Sequence, residues 1–257
     1  MSQSLSDKRQ PPKAKRPLKR MFDSVPGRYD LMNRVLTLRL DERWRKRAAT
    51  ICIQRKPNRV LDLCCGTGDL ALHLRQMTGQ NTEIVGLDYS PAMLEIARSK
   101  TRHYGPIEGI TWVVGDASSM QFPDGYFDVI GVAFGFRNLT WKNPIKDSAL
   151  SEVKRILRPG GAFVVVETSQ PTNRIMRMGF HAYLKAAVGT IGAPLSGNRG
   201  AYRYLAESAR RFYDADDVST MLAEAGLEPV RVERLLAGAA AIHVAENRIV
   251  EGKNDKS

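Results

Sequence analysis

The chain has 257 residues, 43% hydrophobic and 26% charged, which suits one large α/β domain with a sizeable buried core and excludes a disordered chain. No apolar run approaches the roughly 18 residues of a membrane-spanning helix, and no apolar segment follows the basic N-terminus as a signal peptide would require, so a cytosolic location is expected. Three cysteines, Cys52, Cys64 and Cys65, are odd in number and partly adjacent, which argues against a disulfide framework or a zinc-ligand spacing; no metal is expected.

Residues 1–20 hold Lys8, Arg9, Lys13, Lys15, Arg16, Lys19 and Arg20 against the single acid Asp7. With prolines and no periodicity they read as a flexible basic arm, suited to an anionic membrane surface or nucleic acid and contributing to the net charge of +12. A single domain is expected over 21–250. It opens with an N-terminal helical cap, Arg28 to Gln54, broken around Leu38 to Asp41. Strand and helix then alternate. Arg59 to Leu63 is a strand, Asp69 to Met77 a helix, and Glu83 to Leu87 a strand ending at Asp88. Ser90 as N-cap and Pro91 at the first helical position start a helix carrying Met93, Leu94, Ile96 and Ala97. Thr111 to Val114 is a strand ending in Gly115-Asp116, and Phe127 to Phe134 is another. Ile145 to Leu157 is a helix stopped by Arg158-Pro159-Gly160-Gly161, and Ala162 to Val166 is the fifth strand. Residues 172–210 break the rhythm and read as an inserted lid of helix and loop. A helix at Ala215 to Ala225 and strands at Glu228 to Leu235 and Ala240 to Ala245 follow; the last two are too close for a crossover, so one is expected to run antiparallel. Residues 251–257 are a polar tail. The spacing predicts a Rossmann-like α/β fold with a mostly parallel seven-stranded sheet covered on both faces.

The chemistry gathers at the strand ends. The first strand runs into Asp62-Leu63-Cys64-Cys65-Gly66-Thr67-Gly68-Asp69, where glycines let a ligand approach the backbone beside the free N–H groups of a helix start. Asp88, at the end of the next strand, is placed to accept from a ribose diol, and Asp116 can reach an adenine amino group. Gly66-Thr67-Gly68-Asp69-Leu70-Ala71 also fits the dinucleotide pattern. Asp62 and Asp69 make the loop acidic, which disfavours a pyrophosphate and favours the sulfonium and amino group of S-adenosylmethionine. Tyr89, Met93, Ala117 and Ala133 complete the candidate cofactor set. A plain glycine turn is the alternative.

Several stretches together resemble the ubiquinone/menaquinone biosynthesis C-methyltransferases over roughly residues 20–246. They are Met21 to Val25, Tyr29 to Asn33 with Trp44, Leu61 to Asp69, Ala133 to Asn138, Arg155 to Gly161, Glu167 to Ser169, Tyr202 to Ser208 and Ala241 to His243. The chain departs from the family pattern at Thr37 (usually Ser), Asp41 (usually His), Cys64-Cys65, Ala133 and Ala206. The resemblance implies a class I S-adenosylmethionine-dependent methyltransferase that methylates a ring carbon of a polyprenylated quinol, with demethylmenaquinol preferred to a ubiquinone precursor; another small-molecule methyltransferase or an RNA-directed one is the alternative. It implies catalytic roles for Arg137 as a charge stabiliser, Asn138 as a hydroxyl ligand and Tyr29 as a cover. Each also has a plain reading, as ion-pair partner, turn residue and core residue respectively. Peripheral contact with the inner face of the membrane is expected, and a homodimer is compatible. Nucleic acid is not an expected partner, because the arm lacks interleaved aromatics. His243 in an apolar strand reads equally well as a core histidine. His181 lies with Met176, Met178 and Phe180 in a stretch that reads either as a lipid-touching amphipathic helix or as a packed lid.

Overall fold

The computed structural model describes residues 39–103, 109–187 and 199–248, with positions 34 and 37. Tyr29, the basic arm and the first part of the cap lie outside the described residues. The elements run α1 (Leu40–Ile53), β1 (Arg59–Leu63), α2 (Asp69–Met77), β2 (Glu83–Asp88), α3 (Pro91–His103), β3 (Ile110–Val114), β4 (Phe127–Ala133), α4 (Phe136–Thr140), α5 (Lys146–Ile156), β5 (Leu157–Thr168), α6 (Arg174–Ala187), α7 (Arg199–Arg211), α8 (Ala215–Glu224), β6 (Leu227–Leu235) and β7 (Ala240–Asn247).

The seven strands form one sheet in the order β3-β2-β1-β4-β5-β7-β6. The first five run parallel to one another, and β7 is antiparallel to both β5 and β6. Strand order reverses between β1 and β4, and such a switch point opens a crevice at the carboxyl ends of the strands. Alternation along each strand divides the core between the two faces. Leu61, Leu63, Val85, Phe127, Ile130 and Phe163 pack on one side with α5 and α8 residues such as Val153 and Leu222. Val60, Ile84, Val129 and Val164 pack on the other with Ala48, Ile51 and Leu70 from α1 and α2.

Local chemistry sets the element ends. Ser90 caps α3, its hydroxyl accepting from the Met93 amide and its carbonyl from the Leu94 amide. Asp214 and Asp217 form a reciprocal capping box on α8. Within the expected break around Leu38 to Asp41, Arg39 takes φ 61 and α1 already begins at Leu40. Most boundaries fall within two residues of expectation, and two differences have a clear cause. Phe134 adopts φ +58, so β4 ends at Ala133. Strand β5 starts at Leu157 rather than Ala162, because Leu157 pairs with Phe127 and Ala162 with Val129, which leaves 158–161 as a looped-out bulge instead of a stop. The short helix α4 was not anticipated, since five residues are too few for a helical period to show.

The outer strand β6 carries Arg231, Glu233 and Arg234, and its pairing shifts register between Pro229 and Arg231. Arg47 on α1 and Arg231 both pair with Glu233, and Arg234 pairs with Asp216.

Trp112 on β3 sets the shape of the glycine loop. Its ring lies so close that a Cβ at Gly86 would come within 2.4 Å of it, and one at Gly68, which also needs φ +85, within 2.5 Å. Gly86→Ala is therefore expected to destabilise the protein by about 1–3 kcal/mol, and Trp112→Leu should relieve most of that loss. Urea unfolding of the two single variants and the double variant would reveal the coupling; additive effects would contradict the contact.

Candidate active site

At the end of β1 the chain turns at Cys64, which has φ +54. The Cys65 amide then donates to the Leu87 carbonyl at 3.0 Å and the Gly68 amide to the Cys65 carbonyl at 2.8 Å. Two buried carboxylates take the other key amides. Asp88 accepts from the Gly66 amide at 2.9 Å and, through its second oxygen, from the Ser90 amide at 2.9 Å. Asp62 accepts from the Ala71 amide in the first turn of α2 at 2.9 Å. Amides that a phosphate-binding loop would aim at its anion are thus held by the protein's own carboxylates. A Cβ on Gly66 would meet nothing within 4 Å, so the loop does present open space at that point. This cradle fits a ligand without phosphate, as S-adenosylmethionine is.

The loop is less acidic than its sequence suggests. Asp69 is paired with Lys100 at 2.5 Å, and Lys100 also donates to the Thr67 hydroxyl at 2.9 Å. Burial pushes the Asp62 carboxyl up to about 8, against the opposing pull of the Ala71 amide and Arg45. The case against a pyrophosphate therefore rests on spent amides more than on free negative charge. Gly68 and Thr67 serve to build the loop, one by packing under Trp112 and the other through Lys100.

The cofactor candidates come together. Asp62 lies in β1, with Gly66, Thr67 and Gly68 after it; Asp88 ends β2, with Tyr89 and Met93 after it; Asp116 and Ala117 follow β3; Ala133 ends β4. All stand at the carboxyl ends of four adjacent strands. Asp116 has one oxygen engaged by the Ser118 amide and hydroxyl, at 2.9 and 2.8 Å. Behind the loop, α1 contributes a buried chain: the Thr37 hydroxyl donates to Asp41 at 2.9 Å, Asp41 pairs with Arg45 at 2.5 Å, and the Arg45 guanidinium lies 5.0 Å from the Phe134 ring centroid. The two departures at Thr37 and Asp41 are thus partners of each other.

Arg137 and Asn138 lie on α4, at the end of β4. Arg137 is 2% exposed. Glu167, at the end of β5, receives the Arg137 backbone amide on one oxygen and its Nη1 on the other, both at 3.0 Å, and Nη1 also donates to the Thr168 hydroxyl. Three buried polar atoms at this edge have no hydrogen-bond partner: Arg137 Nε, Asn138 Oδ1 and Ser169 Oγ. Sequence reasoning did not single out Glu167 as a site residue, although a lone acid ending the apolar run Ala162 to Val166 is a usable signal. It also missed Tyr204 on α7, whose phenol is raised by burial, with Arg137 opposing and Glu167 adding. His243 behaves as a core histidine, 2% exposed and lowered to about 4, mainly by burial. Burial raises the thiols of Cys64 and Cys65 well above the usual range, with nearby aspartates adding, so neither is an activated nucleophile. Among the described residues no cluster could hold a metal ion.

Because Asp62 is held above its ordinary 3.8, its stabilising contribution is full below that value and is lost as pH rises through about 8. Thermal unfolding of wild type and Asp62→Asn across that range should show wild type losing ground to the variant as pH rises. A constant gap would refute the shift.

A model of the ubiE/COQ5 methyltransferase family matches residues 9–247. A protein named demethylmenaquinone methyltransferase from Thermus thermophilus is 42% identical over 226 residues, covering 88% of this chain and 99% of its own. Ubiquinone/menaquinone biosynthesis C-methyltransferase UbiE of Pseudomonas putida is 36% identical over 223 residues, covering 87% and 86%. Among solved structures, a SAM-dependent methyltransferase from Aquifex aeolicus aligns with TM-score 0.52 at 20% identity, over 73% of this chain and 80% of that one. The [4+2]-cyclase SpnF aligns with TM-score 0.56 at 17% identity, over 93% and 98%. These structures establish the fold alone, and a cyclase on the same fold means that function must be argued from the sequence relatives and the site. On a match spanning nearly its whole length, the chain belongs to the ubiE/COQ5 methyltransferase family.

Proposed function

We propose that this methyltransferase acts on a ring carbon of a polyprenylated quinol, converting demethylmenaquinol to menaquinol at the cytoplasmic face of the membrane. The observation that carries the reading is the 42% identity along 99% of a relative named demethylmenaquinone methyltransferase. When bound, S-adenosylmethionine supplies an electrophilic methyl group on a sulfonium. Asp62, Asp88 and Asp116, with Gly66 as the open face of the loop, are the residues that would hold it, and Tyr89, Met93, Ala117 and Ala133 would line its sides.

The residues at the ends of β4 and β5 suit an electron-rich ring. Transfer of a hydroxyl proton to water makes the adjacent ring carbon nucleophilic, a fixed cation stabilises the phenolate that results, and the ring hydrogen on that carbon leaves as a proton to water once the carbon is methylated. A guanidinium is a cation and a poor base, so Arg137 is assigned the role of that cation and not of the base. Glu167 holds its backbone and one guanidinium nitrogen, which leaves Nε as an unsatisfied donor. Asn138 Oδ1 is an unsatisfied acceptor for the ring hydroxyl. Tyr29 lies outside the described residues and keeps only the covering role that the family resemblance implies for it.

The test is an assay with labelled S-adenosylmethionine and chemically reduced demethylmenaquinone, with a ubiquinone precursor and bulk RNA in parallel. Label in the menaquinone precursor and not in RNA is the expected result. Label in the ubiquinone precursor alone would change the pathway, and label in neither quinol would overturn the reading. Arg137→Ala strands a buried carboxylate, a loss of about 3–5 kcal/mol, so it is best paired with Glu167→Gln. The double variant is expected to lose roughly a hundredfold or more in kcat while calorimetry finds cofactor affinity little changed. Retained turnover would remove Arg137 from the mechanism.

A further inference from the structure

The net charge of the chain is not spread evenly. It has 39 basic and 27 acidic side chains; residues 1–20 and residues 172–211, the lid extended by one residue to the end of α7, each hold seven basic and one acidic, so the rest is balanced at 25 of each sign. The whole excess therefore sits in the arm and in the lid that contains α6 and α7. The sole acid of the lid, Glu207, is paired with Arg211.

Helix α6 adds an unusual surface. Asn173 caps it, accepting from the Ile175 and Met176 amides at 2.9 and 3.2 Å. Leu184 is buried at 1% exposure, while Ile175 is 79% exposed, Met178 65% and Met176 49%. Ile175, Met178 and Ala182 fall at i, i+3 and i+7, with Gly179 among them, so the exposed apolar residues form one stripe, and Arg174 and Lys185 run along its border. Basic residues in the first turn of a helix oppose its dipole, and α6 has no acid there to offset them. An apolar stripe edged by cations matches a lipid surface with anionic headgroups; RNA would leave the apolar side chains unsatisfied. Among the described residues no helix is long and apolar enough to cross a membrane, so this contact is with a surface.

We propose that the exposed face of α6 seats on an anionic bilayer, with Ile175, Met176 and Met178 at the acyl boundary and Arg174 and Lys185 at the headgroup phosphates. The placement has a use under the quinol reading. Gln170, three residues beyond Glu167, donates to the Ala209 carbonyl of α7 at 2.9 Å and lies 2.8 Å from His181 Nε2 on α6. The docked helix is thereby tied to the strand end that holds Arg137, which puts the reactive edge beside the lipid in which a polyprenyl tail dissolves.

The experiment is flotation of the full-length protein with quinol-free vesicles, phosphatidylglycerol mixed into phosphatidylcholine against phosphatidylcholine alone. Wild type should float with the anionic vesicles and Ile175→Asp/Met178→Asp should partition about tenfold more weakly, with the thermal midpoint and cofactor affinity unchanged because both side chains are exposed. Wild type that ignores anionic vesicles, or a double variant that floats like wild type, overturns the proposal. So does a double variant that floats normally but changes from dimer to monomer in sedimentation, or one that loses only an RNA gel shift. Since no quinol is present, α6-dependent flotation alongside failure to methylate any quinol would leave the docking surface standing and remove only the substrate assignment.

Discussion

Two buried carboxylates determine what the glycine loop can be. Asp62 at the end of β1 and Asp88 at the end of β2 take the amides of Ala71 and Gly66, and Asp88 also takes that of Ser90. Asp62 is bound to the first turn of α2 and Asp88 to the loop itself at Gly66, so the loop is pinned at both sides of its turn. Burial makes an unpaired carboxylate costly, and the amides reduce that cost. The same bonds withdraw the loop from phosphate binding. Orientation of the cofactor loop and rejection of a pyrophosphate are thus two results of one hydrogen-bond pattern, and the pressure of Trp112 on Gly68 and Gly86 keeps that pattern in one shape.

The second buried charge pair has a different character. Arg137 and Glu167 are both 3% exposed at the side chain. An ion pair at that depth is weak evidence for stability, since desolvation consumes much of the attraction. Its value here is geometric. Glu167 binds the backbone and the head group of the same arginine, and Nη1 also donates to the Thr168 hydroxyl, so the guanidinium cannot swing away without breaking two bonds. Unsatisfied buried atoms beside it, on Asn138 and Ser169, are the kind of defect that a folded protein keeps where a ligand completes the set.

Much of this was legible in the sequence because the fold announces itself through alternation. Apolar strands near Val60, Ile84, Val129 and Val164, each followed by a helical period, prescribe parallel βαβ units, and the closeness of the last two strands prescribes the antiparallel β7. The Asp at each strand end was visible as a residue type out of keeping with its run. Contacts between distant segments were not visible. Glu167 lies 30 residues from Arg137, and nothing local to either marks the other as its partner. The Pro-Gly-Gly turn read as a stop for the same reason: whether Leu157 pairs with Phe127 depends on the neighbouring strand and not on the turn. The loop's acidity was read too simply because Lys100, which quenches Asp69, stands 31 residues away.

The outermost strand has a consequence for how molecules of this protein can meet. An unpaired strand edge is a template for further pairing, and amyloid growth uses it. On β6 the charged side chains of Arg231, Glu233 and Arg234 and the register slip after Pro229 roughen that edge. Extension of the sheet from one copy to the next on that side is disfavoured. Association that starts from β6, whether ordered or pathological, has to proceed through helical faces instead of a shared ladder.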